Sequence, residues 1–515
     1  MLCKFRSAAS AGARQLARCR PTFLVARSFS EATTETAIKA PPMVYISGEE
    51  MTRYTMELVL DRWVKPYVDI SNWEFYALDC KTRDDTNDQV LRDAVDAGKR
   101  VCAIFKEPTI TPTAEQGQSM GLKNVLSSPN GLMRKGWNGI TISRDTIHID
   151  GLEFGFENPV LFERHAVGGE YGAGWATVGQ GRLITTFFPD DEDTIPTIVD
   201  HRILTDKENV AVVYHNPLDN VTDLAHRFFQ RCLDHRVTPY VVTKKTVFKW
   251  QEAFWQKMLD VFEKGYRSQF QALGLVKDKL GHLISDAATM QIVRWRKGGF
   301  GMAAHNYDGD MLTDQISQIH RSPGFITSNL IGKRDDGVLI QEFEASHGTV
   351  SDLWHDHLAG KETSMNPLGL VEALIGAMDH SARISQDTAQ DRERLLLFTA
   401  DLRAAVHETF ASGEGTRDMM GPEGKTTEEF MDAVAARLEK FRQKTRVKVA
   451  KTKIPLKAVG AEQIDDQFVE DLYSQLRSPE TGKLGLDEFR SALVKLGIAP
   501  KKNAETAEGK VNPLS

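Results

Sequence analysis

"NYDGDMLTDQ", residues 306–315, sets Asp310 and Asp314 four positions apart. On a helix that begins near Asp310 the two carboxylates share one face. Hard oxygen ligands at that spacing suit magnesium or manganese, which accept a few carboxylates and keep water or substrate oxygens at their other positions. An aspartate at a helix start is also an ordinary cap, so the pair needs company before it implies catalysis. Arg134 in "SSPNGLMR", Arg144 ten residues on, and Arg164 in "ERHAVGGEY" come from three separate segments. Each guanidinium can grip one carboxylate with two hydrogen bonds, so the three together would clamp a polycarboxylate. "KEPTITPT" offers Lys106, Thr109 and Thr111, Ser128 and Asn130 precede Arg134, and "TKKT" offers Lys244. "HGTVSDLW", residues 347–354, is a small-residue turn of the kind that holds phosphate-bearing ligands, yet it carries an acid, Asp352.

These side chains must be held by an α/β framework. "MVYIS" and "VCAIF" are buried strands, and "MTRYTMELVLDRWVKPY" is an amphipathic helix between them. "NVAVVYH" and "TPYVVTKKT" are strands further on, and "QEAFWQKMLDVFEKGYRSQFQAL" spaces its apolar residues as a helix does. Strand–helix alternation of this kind builds an α/β fold. The Gly-rich stretch "GEYGAGWATVGQGRLITTFFPDDEDTIPTIVD" is a small β-rich excursion. No GxGxxG follows a strand, so any dinucleotide is held by another loop.

The chain has 515 residues, 26% charged and 41% hydrophobic, which allows two or three domains with large cores. A formal net charge of -7 argues against nucleic acid as a partner, and no apolar run of about 18 residues spans a membrane. Five scattered cysteines form neither a disulfide framework nor a zinc site. Residues 1–30 are rich in arginine and serine and hold no acid, the composition of a transit peptide addressed to the mitochondrial matrix, with a plastid address as the rival. Residues 443–461 form a basic linker, poor in helical pattern. Residues 462–498 read helix–loop–helix, with Gly482 and Glu488 where an EF-hand loop needs them, but Arg477, Pro479 and Thr481 stand where calcium needs oxygen ligands. This EF-hand-like module keeps the frame without the oxygen ligands that tight calcium binding needs, and a plain helical hairpin is the alternative. As a single copy it pairs between subunits, allowing a tetramer, and residues 499–515 are a disordered tail.

"KEPTITPT", "SPNG", "RHA…Y", "TKKT", "NYDGD…D" and "HGTV…N" occur in the order seen in eukaryotic-type homodimeric isocitrate dehydrogenases, which the chain resembles from about residue 43 to 440. The resemblance implies the isocitrate/isopropylmalate dehydrogenase-like α/β fold. Its large α/β domain would comprise residues 42–137 and 322–442, its small α+β domain residues 138–168 and 218–321, and its clasp residues 169–217. It implies that Thr111, Ser128, Asn130, Arg134, Arg144 and Arg164 hold the three carboxylates of isocitrate. It places magnesium or manganese on Asp310 and Asp314, with Asp286 of "HLISDAATMQ" as a third ligand from the other subunit of a homodimer. Where the family shows two adjacent acids, this chain has Ser285-Asp286. Tyr171 and Lys244, the latter again from the other subunit, would handle protons. Hydride leaves C2 for the nicotinamide, carbon dioxide departs, and the enolate is protonated. A free lysine, with a pKa of about 10.4, is a poor base. A divalent ion and arginines beside it favour the neutral amine.

For the dinucleotide, the resemblance implies Lys106, Thr109, Thr111 and Asn130 as binding residues. It places His347, Gly348, Thr349 and Val350 at the adenosine, and Asn366 beside the adenine. NADP-using members carry an Arg-His pair two residues after HGTV, where this chain has Asp352-Leu353. A 2'-phosphate bears about -1.5 to -2 charges, so Asp352 repels it and instead suits the ribose hydroxyls of NAD. The competing readings are the same reaction with NADP, and a related β-decarboxylating dehydrogenase acting on isopropylmalate or homoisocitrate. Two more are a non-catalytic regulatory subunit and a calcium-responsive scaffold. Ser128 and Asn130 favour isocitrate, and the retention of Tyr171, Lys244 and both metal aspartates speaks against a non-catalytic subunit.

Overall fold

Short apolar runs become the inner strands of one ten-stranded sheet. Strands β1 (Ile38–Lys39), β2 (Met43–Ser47), β3 (Val68–Asp69), β4 (Trp73–Ala77) and β5 (Ala103–Lys106) open the chain; β1 pairs with β3, and the other three enter the large sheet. After β6 (Gly139–Asp145) and β7 (Val160–His165) the chain leaves that sheet. Strands β8 (Gly174–Val178), β9 (Gly181–Phe187), β10 (Thr197–Leu204) and β11 (Asn209–Val213) form two antiparallel ribbons, β8–β11 and β9–β10. The large sheet is completed by β12 (Thr238–Thr243), β13 (Gly281–Ile284), β14 (Phe300–Ala304), β15 (Thr327–Lys333) and β16 (Leu339–Ala345). Its order is β13-β12-β14-β7-β6-β15-β16-β5-β2-β4. All of these strands belong to the unit that begins at Ile38. The computed structural model describes residues 37–452 except Val125 and Glu192, with side chains through Thr445. The transit segment, the EF-hand-like module and the tail lie outside the described residues.

Both flanks of the sheet are parallel, and only the β7–β6, β6–β15 and β15–β16 joints are antiparallel. Parallel strands are covered on both faces, which is why "MVYI" and "AIFK" are buried without alternation. The Leu368–Ile384 helix packs on β16 and β5 with apolar residues all round; the Ala389–Ala411 helix packs against it and in turn carries the Thr427–Thr452 helix. Across the sheet the Val221–Asp234 and Glu252–Val261 helices build a second core through Phe228, Phe229, Phe254 and Met258.

The candidate residues follow strand ends on both parallel flanks, which the three antiparallel joints turn in opposite directions. In open α/β sheets ligands gather beyond the carboxyl ends of the strands. The 106–111 loop leaves β5, Tyr171 follows β7, Lys244 follows β12, Asp286 follows β13, Asp310 follows β14 and His347 follows β16.

Three local expectations differ from the structure. The helix carrying the two aspartates starts at Asn306, not Asp310, and runs to His320. It lacks a side-chain cap at His305, so no cap residue marks its start. The last long helix continues to Thr452, so residues 443–452 of the expected linker are helical. Lys, Arg and Gln are good helix formers, and no proline interrupts them before Pro455. The helix predicted from Gln251 to Leu273 is interrupted by a π turn at Phe262–Tyr266 around Gly265, where five residues shift the apolar register.

Candidate active site

Antiparallel strands β6 and β7 place Arg144 and Arg164 on the same face of the sheet, because Ile142 faces Arg164 and Arg144 faces Phe162. Both arginines are buried. They meet the Asn306–His320 helix, which lays Asn306, Asp310, Thr313 and Asp314 along one stripe. Arg164 donates from Nε to Asn306 Oδ1 at 2.9 Å and pairs through Nη1 with Asp310. Arg144 donates from Nη1 to Thr313 Oγ1 at 2.8 Å, and its guanidinium lies 3.6 Å from Asp310 and 3.4 Å from Asp314. Tyr171 donates its hydroxyl to Asp310, and its ring lies under the Arg164 guanidinium, 5.0 Å from centroid to carbon. Arg134, at the end of the Pro129–Gly136 helix, stands 6.0 Å from the same ring.

The charges in this cluster tune one another. Burial depresses Arg164 to about 9, and the neighbouring Arg134 and Arg144 add to the shift while Asp310 opposes it. Burial would raise Asp310, but Arg164, Tyr171 and Arg144 hold its carboxyl below the usual range. Asp314 is raised by burial, with Arg144 opposing. Tyr171 is pushed up to about 12, first by burial and then by its hydrogen bond to Asp310. It is therefore a protonated phenol, a donor at rest.

A cavity of about 1080 Å³ opens over this cluster, lined among others by Ser128, Asn130, Arg134, Arg144, Arg164, Tyr171, Asp310, Lys106, Thr109, His347 and Gly348. Arg144 Nε, Arg164 Nη2, Thr109 Oγ1 and His347 Nε2 are buried without a hydrogen-bond partner. Buried donors are normally satisfied, and two unpaired guanidinium nitrogens in one cavity wall fit an anionic ligand. Ser128 is the N-cap residue of its helix, yet its hydroxyl makes no capping bond.

Among the described residues no group of three or more His, Cys, Asp or Glu is assembled as a metal cage. Asp310 and Asp314 are two hard oxygen donors beside a substrate-sized space, which suits an ion completed by substrate and water. Asp286 is not with them. It forms an ion pair with Lys244, and neither residue lines the cavity. Lys244 holds the Asp286 carboxyl below its ordinary range.

The residues expected at the dinucleotide are only partly gathered. Lys106 is buried, and its amine is committed to Glu344 at 2.6 Å. Thr111 is exposed and does not line the cavity. Thr349 donates to Glu50 Oε2 at 2.5 Å, and Val350 is held at φ 59°. A β-branched residue in the left-handed region is strained, and it ends the turn from which the Ser351–Leu358 helix departs. Asp352 is exposed in the first turn of that helix, and the residue in the N-cap position is Val350, so Asp352 is not its cap. Leu353 packs against the large core. Asn366 is buried, donating to Asp418 Oδ2 at 2.8 Å.

Sequence reading missed Asn306, Thr313 and Gly309, although all three lie in the quoted motif and the first two stand at helical spacing from Asp310. A Cβ on Gly309 would sit 2.8 Å from Arg164 Cγ and 2.9 Å from its Cβ. The DGD glycine is thus a close-approach site for the arginine stem. Gly309→Ala gains about 1 kcal/mol of helix propensity but overpacks the Arg164 stem by about 1–3 kcal/mol. The expected result is a KM for the anionic substrate raised about tenfold with the dinucleotide KM unchanged, read by steady-state kinetics.

Comparison with known proteins bears on this geometry. The family model for isocitrate/isopropylmalate dehydrogenase matches residues 42–434. The mitochondrial isocitrate dehydrogenase [NAD(+)] 1 of Phaeodactylum tricornutum is 57% identical over 509 residues, covering 94% of this chain and 93% of its own. The mitochondrial isocitrate dehydrogenase (NAD(+)) of Ostreococcus tauri is 60% identical over 412 residues, 79% of this chain and 87% of its own. Isocitrate dehydrogenase [NADP] 1 of Mycobacterium tuberculosis is 32% identical over 408 residues, 78% of this chain and 96% of its own. The crystal structure of isocitrate dehydrogenase from Ostreococcus tauri in complex with isocitrate and magnesium(II) matches with a TM-score of 0.75 at 60% identity, covering 78% of this chain and all of that one.

Proposed function

The chain belongs to the isocitrate/isopropylmalate dehydrogenase family, and from that premise we infer that it converts isocitrate to 2-oxoglutarate and carbon dioxide while reducing NAD, in mitochondria. The observation that carries this is the convergence of Arg144 and Arg164, each with a buried unpaired nitrogen, on Asp310 beside Tyr171. Purified protein given isocitrate and magnesium or manganese is expected to form NADH and 2-oxoglutarate from NAD, and far less NADPH from NADP. No reduced dinucleotide from either would end the proposal.

In the working site Arg134, Arg144 and Arg164 bind the carboxylates of isocitrate, with Ser128 and Asn130 adding neutral donors. Asp310 and Asp314 would hold a divalent ion, which would supply Lewis-acid charge to the substrate, and NAD would supply the hydride acceptor. Tyr171, protonated at rest, gives its proton to C3 of the enolate left after decarboxylation. Lys244 of the partner subunit removes the proton of the C2 hydroxyl, and Asp286 of the partner subunit adds a third carboxylate for the ion. Lys106, Thr109 and Asn130 orient the nicotinamide end of the dinucleotide. His347, Gly348, Thr349, Val350 and Asn366 seat its adenosine end.

The shared site requires a homodimer, and the surface supports one. A two-stranded ribbon is marginal by itself in water, yet the β8–β11 and β9–β10 ribbons leave large apolar side chains bare, with Trp175 at 72% and Ile195, in their connecting loop, at 83% exposure. Met290 and Val293 of the Ser285–Arg294 helix, and Tyr307 and Met311 of its neighbour, are likewise exposed. A second copy covering both patches brings the Lys244–Asp286 pair of each subunit toward the other's aspartates.

Cofactor choice rests on Asp352. The Asp352→Arg, Leu353→His double variant is expected to raise the NADP-to-NAD ratio of kcat/KM by about a hundredfold, from two charge-assisted hydrogen bonds at about 1.5–3 kcal/mol each, partly offset by lost Leu353 packing. Steady-state kinetics with both dinucleotides decides it; an unchanged ratio removes Asp352 from the specificity argument.

A further inference from the structure

Behind the two buried substrate arginines, on the opposite face of the sheet, runs a partly buried ionic bridge. In the β6–β7 ladder Ser143 faces Glu163, so Thr141, Ser143, Asp145 and Glu163 point away from the face that carries Arg144 and Arg164. Glu163 is fully buried, accepting from Thr141 Oγ1 at 2.7 Å and Ser143 Oγ at 2.9 Å. Arg231, from the Val221–Asp234 helix, gives Nη1 to Glu163 on β7 and Nη2 to Asp145 on β6. Each of these carboxylates is the chain neighbour of a substrate arginine: Asp145 follows Arg144, and Glu163 precedes Arg164.

The rest of the helix repeats the pattern. Arg227 donates to Ser143 Oγ at 3.1 Å, Asp223 meets Lys333 of β15 at 3.0 Å, and Asn220, at its N-cap, donates to Gly139 O at 2.7 Å. Positions 220, 223, 227 and 231 recur at helical spacing, so one polar stripe follows β6 from end to end while Leu224, Phe228 and Phe229 fill the core. A buried ion pair is weak evidence for stability, because apolar residues of similar volume serve as well or better. What apolar side chains do not supply is a planar fork of fixed span joining two strands.

We propose that Arg231 is a positioning residue for isocitrate: by bridging Asp145 and Glu163 it fixes the offset of β6 against β7, and with it the spacing of the Arg144 and Arg164 guanidiniums. The inference rests on the assignment of isocitrate as substrate. The test measures kcat, both KM values and melting temperature in Arg231→Met, Arg231→Lys and Asp145→Asn. Arg231→Met is expected to raise the isocitrate KM about tenfold, with the NAD KM unchanged. Arg231→Lys, a point charge that reaches one carboxylate, recovers part of the loss, and Asp145→Asn gives a smaller rise of the same kind. Should Arg231→Met fail to fold, Asp145→Asn decides, since it removes one end of the bridge and leaves Glu163 paired. Variants that melt lower but keep the parental isocitrate KM overturn the proposal. A parent protein that does not oxidise isocitrate overturns the functional reading instead, and isocitrate affinity by calorimetry in the same variants then tests the spacing directly.

Discussion

Asp310→Asn is expected to lower turnover at least about a thousandfold at saturating isocitrate and NAD, and to weaken magnesium binding in calorimetry. The substitution keeps the shape of the side chain and removes one charge. That charge serves two partners. It opposes the burial and the cationic neighbours that depress Arg164 to about 9, and it is one of the two carboxylates this chain offers a divalent ion. Lewis-acid stabilisation of charge on the C2 oxygen is worth several kcal/mol; about 4 kcal/mol corresponds to about three orders of magnitude in rate. Loss of the Arg164 pair alone would act mainly on isocitrate binding, so a variant defective only in KM would assign Asp310 to the arginines and not to the metal. Parental turnover at saturating magnesium would remove Asp310 from the chemistry altogether.

Much of this site was legible because its parts are local. The 306–320 helix carries Asp310 and Asp314 at the spacing read from "NYDGDMLTDQ", and the arginines arrive from the three segments named. The helix begins one turn before the expected start because its N-cap position holds His305, whose side chain makes no capping bond, while Asn306, the first helical residue, turns to Arg164 and to Gly168 O at 3.1 Å. No Ser, Thr, Asp or Asn at the cap marks the start. The basic stretch after residue 442 read as linker because it has no apolar stripe; it is helical as far as Thr452 because propensity suffices to extend a helix already docked through Phe430, Val434 and Leu438.

What could not be read is what sequence separation hides. Glu163 and Arg231 are 68 residues apart, and Asp145 and Arg231 are 86 apart. In the sequence each is a lone charge with no partner in reach, and only the antiparallel β6–β7 register puts both carboxylates behind the substrate arginines. Thr349 meeting Glu50 is a contact of the same kind, joining residues 299 apart.

Lys244→Ala is expected to lower kcat by about a thousandfold, the middle of the range for loss of a general base, with little change in isocitrate KM. Its placement makes a sharper test possible. Lys244 is paired with Asp286 and lies off the cavity that holds Asp310 and Tyr171. If the lysine serves its own subunit, that pair must break and cross to the cavity. If it serves the partner, two-fold symmetry delivers lysine and aspartate together. Equal amounts of Asp310→Asn and Lys244→Ala subunits, unfolded and reassembled together, distinguish the two. In a shared-site dimer each mixed dimer has one site with both defects and one with neither. Random pairing makes about half the dimers mixed, so about a quarter of the parental activity returns. Sites built within one chain leave a defect in every site, and the mixture stays as inactive as its components. Recovery measured against the separately reassembled variants decides which subunit supplies the base.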